Sequence, residues 1–297
     1  MDMSRLTNWP AINALVPTTH NDTYPFISPA TTNLSGKSVL ITGASKGIGR
    51  EIALSFSRAG CTKIAIAARS NLTTTAEGVI AAAAEAGRPK PHILECQADL
   101  TMEQDVAAVQ AQIAHAFGGS LDILVNNAGR CEAVAPLNQS RPDDFWASWE
   151  INNKGTYLVT RQLLSLLLNS QTRTVINVST AGAHMLTPGL SGYQTSKFAL
   201  CRFTEFLAKD YEDAGLVAIS LHPGGVLTDM TLETPKEWHS HLQDNPVLAG
   251  NTVVWLVKER REWLSGRFVS STWDMQELEG RREDIVSRDL LKFRLTV

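Results

Sequence analysis

Tyr193 and Lys197 are the residues whose types and spacing most directly suggest chemistry. They lie four positions apart in Ser191 to Leu200, a segment predicted to be helical, so both side chains share one helical face. A tyrosine titrates near pH ~10 and serves as an acid or base at neutral pH only if a positive charge stabilises its phenolate. Lys197 could supply that charge. Such a pair also arises by chance, as a packing tyrosine beside a solvated lysine, so the rest of the chain decides.

A glycine-rich turn near the start of the chain is suited to binding phosphate. The apolar run Ser38 to Thr42 ends in Gly43-Ala-Ser-Lys-Gly-Ile-Gly49, and a helix-like run from Arg50 to Ala59 follows. Glycines allow close approach of the backbone, and the helix offers unpaired N–H groups and the positive end of its dipole. A tight turn without a ligand is the alternative. The position directly after the first strand favours the phosphate site.

The end of the second predicted strand, Lys63 to Ala68, bears on which nicotinamide cofactor would bind. An acidic residue there would bind a free ribose 2′-hydroxyl, whereas a basic residue accommodates a 2′-phosphate. The sequence has Arg69 and Ser70 at this point, and Lys46 in the glycine turn adds a second positive charge. These cations could be plain solvated charges, but the absence of an acid predicts NADP(H).

Later strands also end in polar or small residues. Asp99 follows the third strand and could accept from an adenine amino group or cap the next helix. Small residues at 126–129 follow the fourth strand and suit a backbone that passes close to a ring or ribose. Ser179 and Thr180 follow the fifth, and Thr228 comes shortly after the sixth.

The alternation of strands and helices predicts an α/β fold. We expect a Rossmann-like, doubly wound parallel sheet flanked by helices, in a single domain over residues 36–297. Residues 1–35 contain four prolines and are predicted to be an N-terminal extension, which either packs on the body or a second subunit or forms a loose arm. Residues at about 230–250 show little periodicity, as expected of a mobile lid over a pocket.

The composition is that of an ordinary soluble protein. Of 297 residues, 43% are hydrophobic and 19% charged, and the net charge of -3 gives no basic excess for nucleic acid. No apolar run reaches the ~20 residues of a membrane span, and residues 1–30 hold none of signal-peptide length. The four cysteines form no CxxC pair, and no histidines stand at ligand spacing, so we expect neither disulfides nor a metal, and a cytoplasmic location.

With these segments placed, residues 34–275 resemble the short-chain dehydrogenase/reductase family. Its TGxxxGxG motif is matched by Thr42 to Gly49, NNAG by Asn126 to Gly129, and YxxxK by Tyr193 and Lys197, in the family's order. The resemblance implies that Tyr193 exchanges a proton with the substrate oxygen during hydride transfer. It also implies that Lys197 binds the nicotinamide ribose and lowers the tyrosine pKa.

Three more catalytic candidates follow from the resemblance. Asn152 matches the family asparagine that holds a water in the proton relay; a bent helix packed on a neighbour is the alternative for this mid-helix asparagine. The family's substrate-binding serine stands about thirteen residues before the tyrosine. Here Thr180 occupies that position by spacing, whereas Ser179 matches by residue type. Threonine's methyl group stiffens its rotamer, and both residues remain candidates.

These arguments predict no metal, and they predict a cofactor site formed by many residues. It comprises Gly43, Ser45, Lys46, Gly47, Ile48, Gly49, Arg69, Ser70, Asp99, Leu100, Asn126, Ala128, Gly129, Tyr193, Lys197, Pro223, Gly224, Val226 and Thr228.

The implied function is an NADP(H)-dependent oxidoreductase that interconverts a carbonyl and an alcohol. The N-terminal arm and the Gly-Arg-Phe-Val-Ser…Trp-Asp ending are similar to reductases of filamentous fungi, which suggests secondary metabolism and an apolar substrate. The predicted pocket residues are His184, Met185, Leu186, Leu190, Met230, Leu232 and Trp238. An enzyme that isomerises or cyclises its substrate with bound cofactor is the alternative. Apolar helices from Asn153 and Ser191 agree with a homodimer or homotetramer, or bury themselves on the sheet.

Overall fold

A parallel sheet of seven strands forms the centre of the computed structural model, which describes residues 12–295. The strands are β1 (Ser38–Thr42), β2 (Lys63–Ala68), β3 (His92–Gln97), β4 (Ile123–Asn126), β5 (Thr174–Val178), β6 (Val217–His222) and β7 (Arg267–Ser270). Their spatial order is β3-β2-β1-β4-β5-β6-β7, so the winding reverses between β1 and β4. The predicted doubly wound α/β fold is thereby confirmed. A ligand crevice opens at such a reversal, outside the carboxyl ends of the strands.

Helices cover both faces of this sheet. They are α1 (Gly47–Arg58), α2 (Thr73–Glu85), α3 (Glu103–Phe117), α4 (Pro142–Trp149), α5 (Thr156–Leu168), α6 (Ser191–Asp210), α7 (Asp229–Leu232), α8 (Pro246–Val257), α9 (Met275–Gly280) and α10 (Arg282–Ser287). On one face α1 packs between α2 and α8; on the other, α3 packs against α5. No helix in residues 12–295 is long and apolar enough to cross a membrane.

Burial of the sheet on both faces explains why its strands read as continuous apolar runs. In β1, Val39 and Ile41 belong to the core under α1 and α8, whereas Leu40 belongs to the core under α3 and α5. All five residues of β1 are buried. Strand β3 lies at the sheet edge and is partly exposed. The carboxyl ends of the central strands are therefore fixed by packing from above and below.

Two helices begin earlier than the sequence pattern predicts. Helix α1 starts at Gly47 rather than Arg50, so the glycines of the turn form its first turn. Helix α8 starts at Pro246, where proline suits the first helical position and the Asn245 side chain accepts from Val247 N at 3.0 Å. Because α8 is buried against α1, the lid predicted for residues 230–250 ends near residue 245.

The described part of the N-terminal arm packs against the body of the same chain. Val16 is fully buried, and the Tyr24 hydroxyl accepts from Met275 N at 2.6 Å. The His20 ring stacks on Tyr24 at 3.8 Å, and its Nε2 lies 2.8 Å from an Asp274 carboxylate oxygen. The sequence left open whether the arm packs on the body or a second subunit or forms a loose arm, and the structure shows it packed on the body of the same chain. The expectation for residues 1–11 lies outside the described part of the chain.

Candidate active site

A cleft of about 710 Å³ runs along the carboxyl ends of the strands and beneath the lid. It brings together the glycine turn, the ends of β2, β4, β5 and β6, and the amino-terminal half of α6. All the sequence-predicted site residues line it except Asp99, Asn126 and Asn152. Most of the predicted positions therefore line one cleft, whereas Asn126 and Asn152 are buried behind it and Asp99 is partly exposed beside it.

The glycine turn is locked against the segment that follows β4. Gly43 and Gly47 have φ values of +65° and +56°, in the left-handed region that favours glycine. A Cβ on Gly43 would lie 2.7 Å from Ala128 Cα. No side chain caps α1, because Lys46 at its start makes no capping bond. Its first N–H groups and dipole are thus available to an anion in the cleft, which fits a cofactor phosphate.

The cations expected beside a 2′-phosphate lie at the open end of the cleft. Arg69 is exposed at the end of β2. Lys46 Nζ lies 2.5 Å from Asp229 Oδ2, and the two side chains are 67% and 65% exposed. An ion pair this exposed is weak, so Lys46 can exchange it for a ligand at little cost. Asp99 accepts from Thr101 N at 3.0 Å and Thr101 Oγ1 at 2.8 Å, and these bonds lower its pKa.

The side chains of the two asparagines at the end of β4 lie in different places, one in the core and one in the cleft. Asn126 Nδ2 donates to Asn177 Oδ1 at 2.8 Å and Thr160 Oγ1 at 3.0 Å, so its side chain lies in the core. Asn127 lines the cleft instead, and its Nδ2 donates to Thr42 O at 2.9 Å. Side chains alternate along a strand, and that signal could have assigned the outward role to Asn127 from the sequence.

Lys197 and Tyr193 face each other across one turn of α6. Lys197 is 3% exposed, and its Nζ lies 6.0 Å from the centre of the Tyr193 ring. This Nζ donates to Val178 O at 2.8 Å, and burial lowers the pKa of Lys197 to about 8. Burial also raises the pKa of Tyr193 above its usual value. Desolvation is the largest cause of both pKa shifts in the described chain, and the lowering of the tyrosine pKa by Lys197 stays a prediction.

Ser179 and Thr180 differ in what their hydroxyls contact. Ser179 is 2% exposed; its Oγ donates to Lys197 O at 3.1 Å and lies 3.1 Å from Cys201 Sγ. Thr180 hydrogen-bonds the Tyr193 side chain, which lowers the tyrosine pKa against the effect of burial. The serine hydroxyl thus fastens α6 to β5, whereas the threonine hydroxyl lies beside the phenol.

Asn152 lies in a turn of π-helix, Glu150–Gly155, between α4 and α5. Its side chain is fully buried, and it clamps the backbone of Arg130 through bonds of 2.9 Å to both N and O. Its Nδ2 also donates to Ser196 Oγ at 2.9 Å. A Cβ on Gly129 would lie 3.1 Å from Asn152 Oδ1 and 3.3 Å from Lys197 Nζ. The π turn thus places the Asn152 side chain next to Gly129, which lines the cleft.

The substrate side of the cleft is apolar, but three of its predicted members lie elsewhere. Met185, Leu190, Met230 and Trp238 line the cleft, as predicted. Leu186 and Leu232 are 77% and 54% exposed on the surface, and His184 packs between Phe268 and Phe293. Alternation in short loops does not reveal which side chains turn inward.

Several cleft residues carried no usable signal in the sequence. Cys131, Gln194, His222 and His241 line the cleft. Burial raises the pKa of the Cys131 thiol to about 12 and lowers that of His222 to about 4, so both are neutral near pH ~7. Residues 12–295 contain no group of histidine, cysteine, aspartate and glutamate side chains that could hold a metal ion.

Comparison with known proteins places this geometry in a family. The family model for short chain dehydrogenases matches residues 37–238. The chain is 45% identical over 279 residues to the short chain dehydrogenase mpl6 of Monascus purpureus, covering 94% of this chain and 95% of the relative. The protein therefore belongs to the short-chain dehydrogenase/reductase family of oxidoreductases, and the sequence-based family prediction is confirmed.

Solved structures agree with this fold but differ in cofactor. A putative short chain dehydrogenase of Shigella flexneri complexed with NADP matches with a TM-score of 0.71 and 26% identity, covering 80% of this chain and 98% of that one. An NAD+-bound xylitol dehydrogenase matches with a TM-score of 0.69 and 21% identity, covering 81% and 99%. NADP is named for the first of these two solved structures and NAD+ for the second.

Proposed function

We propose that this protein is an NADP(H)-dependent oxidoreductase that interconverts a carbonyl and an alcohol, with Tyr193 as general acid and base. The observation that carries the proposal is the single cleft that joins an uncapped glycine turn to the Tyr193, Thr180 and Lys197 side chains. A substrate oxygen near the phenol would meet a proton donor and a neighbouring hydroxyl together. That pairing suits proton transfer to or from a carbonyl oxygen.

Each residue has a proposed task in this reaction. Thr180 donates to the substrate oxygen and orients it toward the Tyr193 hydroxyl, which gives or takes the proton. Lys197 holds the ribose of the cofactor through Nζ, and Asn152 fixes the backbone at Arg130 beside the water of the proton relay. Ser179 supports α6 through its bond to Lys197 O. When bound, the nicotinamide cofactor supplies or takes up the hydride and, when oxidised, adds a positive charge to the site.

The preference for NADP(H) is proposed from the residues at the end of β2. Arg69 and Ser70 follow this strand, no acid stands there to bind a free 2′-hydroxyl, and Lys46 is within the same cleft. The remaining proposed cofactor contacts are those predicted from the sequence, except for the Asn126 side chain, which lies in the core. Asn127 is added as the side chain that holds the glycine turn.

Replacing the arginine tests this preference. We expect Arg69→Ala to raise the KM for NADPH by roughly 10- to 100-fold while the KM for NADH changes by less than about threefold, because one charged phosphate contact is lost. Steady-state kinetics with both cofactors measure the two values. The control is Arg141→Ala, because Arg141 is also an exposed arginine. Arg88 is not suitable as a control, because its side chain donates to Thr32 O and its loss would remove that bond. Equal losses with both cofactors would contradict the 2′-phosphate role.

The substrate is proposed to be an apolar ketone or aldehyde of secondary metabolism. Met185, Leu190, Met230 and Trp238 line the pocket near Tyr193. A panel of carbonyl compounds, followed by NADPH absorbance and product analysis, tests the reaction type. Reduced product with equimolar NADPH consumption supports a reductase. Product formed without net NADPH consumption would instead support the isomerisation or cyclisation alternative.

A homodimer or homotetramer built on α5 and α6 is also proposed. Tyr157 on α5 is 48% exposed, and Phe198 and Phe206 on α6 are 45% and 60% exposed. Large exposed apolar side chains on neighbouring helices suit an interface between subunits. Light scattering of the purified chain measures the assembly directly.

A further inference from the structure

We propose that Glu132 is a positioning residue for Tyr193, whose buried carboxylate caps the first turn of the helix that carries the tyrosine. This inference rests on the proposed role of Tyr193 in catalysis. The sequence motifs do not include Glu132, which lies three residues beyond the Asn126 to Gly129 segment. Its contacts connect the loop after β4 directly to the start of α6.

The carboxylate is seated on the first turn of α6. Glu132 is 6% exposed, and its Oε1 accepts from Tyr193 N at 2.8 Å. Helix α6 begins after Leu190, which has no side chain able to cap, and its first turn contains no acidic residue. Glu132 therefore supplies, from a distant loop, the acceptor that a helix start requires and the negative charge that its dipole favours.

Close packing holds the carboxylate in this place. A Cβ on Gly192 would lie 2.9 Å from Glu132 Oε1, 3.0 Å from Glu132 Cδ and 2.8 Å from Phe145 Cδ2. Only glycine leaves room at residue 192 for the acid. The loop itself is tied down by Ala133 N, which donates to Asp144 Oδ2 at 2.8 Å. The tyrosine backbone is thus fixed against two elements, the loop after β4 and α4.

The charge of Glu132 acts on the phenol as well as on the helix. The other oxygen, Oε2, is buried and has no hydrogen-bond partner among residues 12–295. The charge of Glu132 raises the pKa of Tyr193, after the larger effects of burial and of Cys131, and it also raises that of Cys131. Glu132 thereby favours the protonated, proton-donating form of Tyr193, as carbonyl reduction requires.

Other titratable groups border the same region. From the loop and α4 these are Cys131 and the ion pair of Arg130 with Asp144, and from α6 it is Lys197. Thr180 on the β5 side is uncharged and lowers the pKa of Tyr193. Lys197 and Arg130 lower the pKa of Cys131, opposite to the effect of Glu132 on that thiol. None of these neighbouring residues has to be changed to test the role of Glu132.

The test separates the charge of Glu132 from its capping bond. Glu132→Gln keeps an oxygen for Tyr193 N but removes the charge. We expect the alkaline fall of kcat/KM for carbonyl reduction to move down by about 0.5 to 1 pH unit, because one unit charge near the phenol is lost. Glu132→Asp keeps the charge but shortens the reach, so its profile should stay in place while its Tm falls by several degrees. Glu85→Gln, at the exposed end of α2, is the matched control.

Distinct outcomes identify which claim fails. A Glu132→Gln profile that superimposes on the wild type, or moves up, overturns the proposal even if its Tm is unchanged. A shifted Glu132→Asp profile overturns it as well, because charge would not be the cause. Tyr193→Phe is measured in the same assay. If that variant retains turnover, the proposed function fails instead, whatever the Glu132 variants do.

Discussion

At the scale of single residues, several contacts rather than one partner determine the pKa of the Tyr193 phenol. Burial and Glu132 favour the neutral phenol, whereas Thr180 favours its ionised form. Lys197 is engaged with Val178 O and titrates lower than an ordinary lysine. In the described chain the net effect keeps the Tyr193 phenol neutral, which is the form that the proposed proton donation requires.

The contacts of the two hydroxyls at the end of β5 support Thr180 as the residue that holds the substrate oxygen. We expect Thr180→Val to lower kcat/KM by about 10²- to 10³-fold, because it removes a positioned donor while keeping the shape of the side chain. Thr180→Ser should restore most of the activity. Ser179→Ala should keep kcat/KM within a few-fold and lower the free energy of unfolding by about 1 kcal/mol, because it removes a buried bond.

Kinetics and denaturant unfolding of these three variants distinguish the hydroxyls. A larger catalytic loss in Ser179→Ala than in Thr180→Val would assign the substrate oxygen to the serine.

At the scale of elements, the sequence predicts the sheet better than the irregular turns. Strands β1 and β2 have the predicted bounds, because continuous apolar runs between turn residues leave few other solutions. The π turn that contains Asn152 was visible only as an unfavourable mid-helix asparagine. One extra residue in a helical turn has no periodic signature, so its geometry depends on packing against Gly129 and Arg130.

Contacts between distant segments were the least predictable part of the site. Glu132 reaches Tyr193 across 61 positions of sequence, and no local pattern marks that approach. The inward turn of Asn126 and the outward turn of Asn127 follow from strand alternation, but only once the last residue of β4 is known. The motifs therefore predicted residues that line one cleft, whereas the contact of Glu132 with Tyr193 became visible only in the tertiary structure.

At the scale of the whole molecule, the described part of the N-terminal arm contacts both the segment after β7 and the base of the lid. His20 contacts Asp274, and Asn21 O accepts from Asn245 N at 2.7 Å where the lid meets α8. Asn251 Nδ2 donates to Thr23 Oγ1 at 2.7 Å. The arm thus links the base of the lid to the segment after β7.

Acid should destabilise the folded chain through a buried histidine at the end of β6. Burial lowers the pKa of His222 from 6.5 to about 4, with nearby His184 adding to the effect. The unfolded chain therefore binds more protons than the native state between these values, and stability is lost as pH falls through them. We expect roughly 2 kcal/mol less unfolding free energy near pH ~5 than near pH ~7 from His222 alone.

Denaturant titrations at the two pH values measure this loss, and His222→Gln should reduce it by about the same amount. An identical decline in the variant would show that other groups control acid unfolding.

The central claim is that Tyr193 transfers the proton in a cleft that binds the cofactor independently of it. The most direct measurement compares wild type and Tyr193→Phe for single-turnover carbonyl reduction and for NADPH affinity by calorimetry. The loss of a general acid predicts a rate at least about 10²- to 10⁴-fold lower, with the Kd for NADPH within about threefold of wild type. Unchanged turnover in Tyr193→Phe would contradict the account.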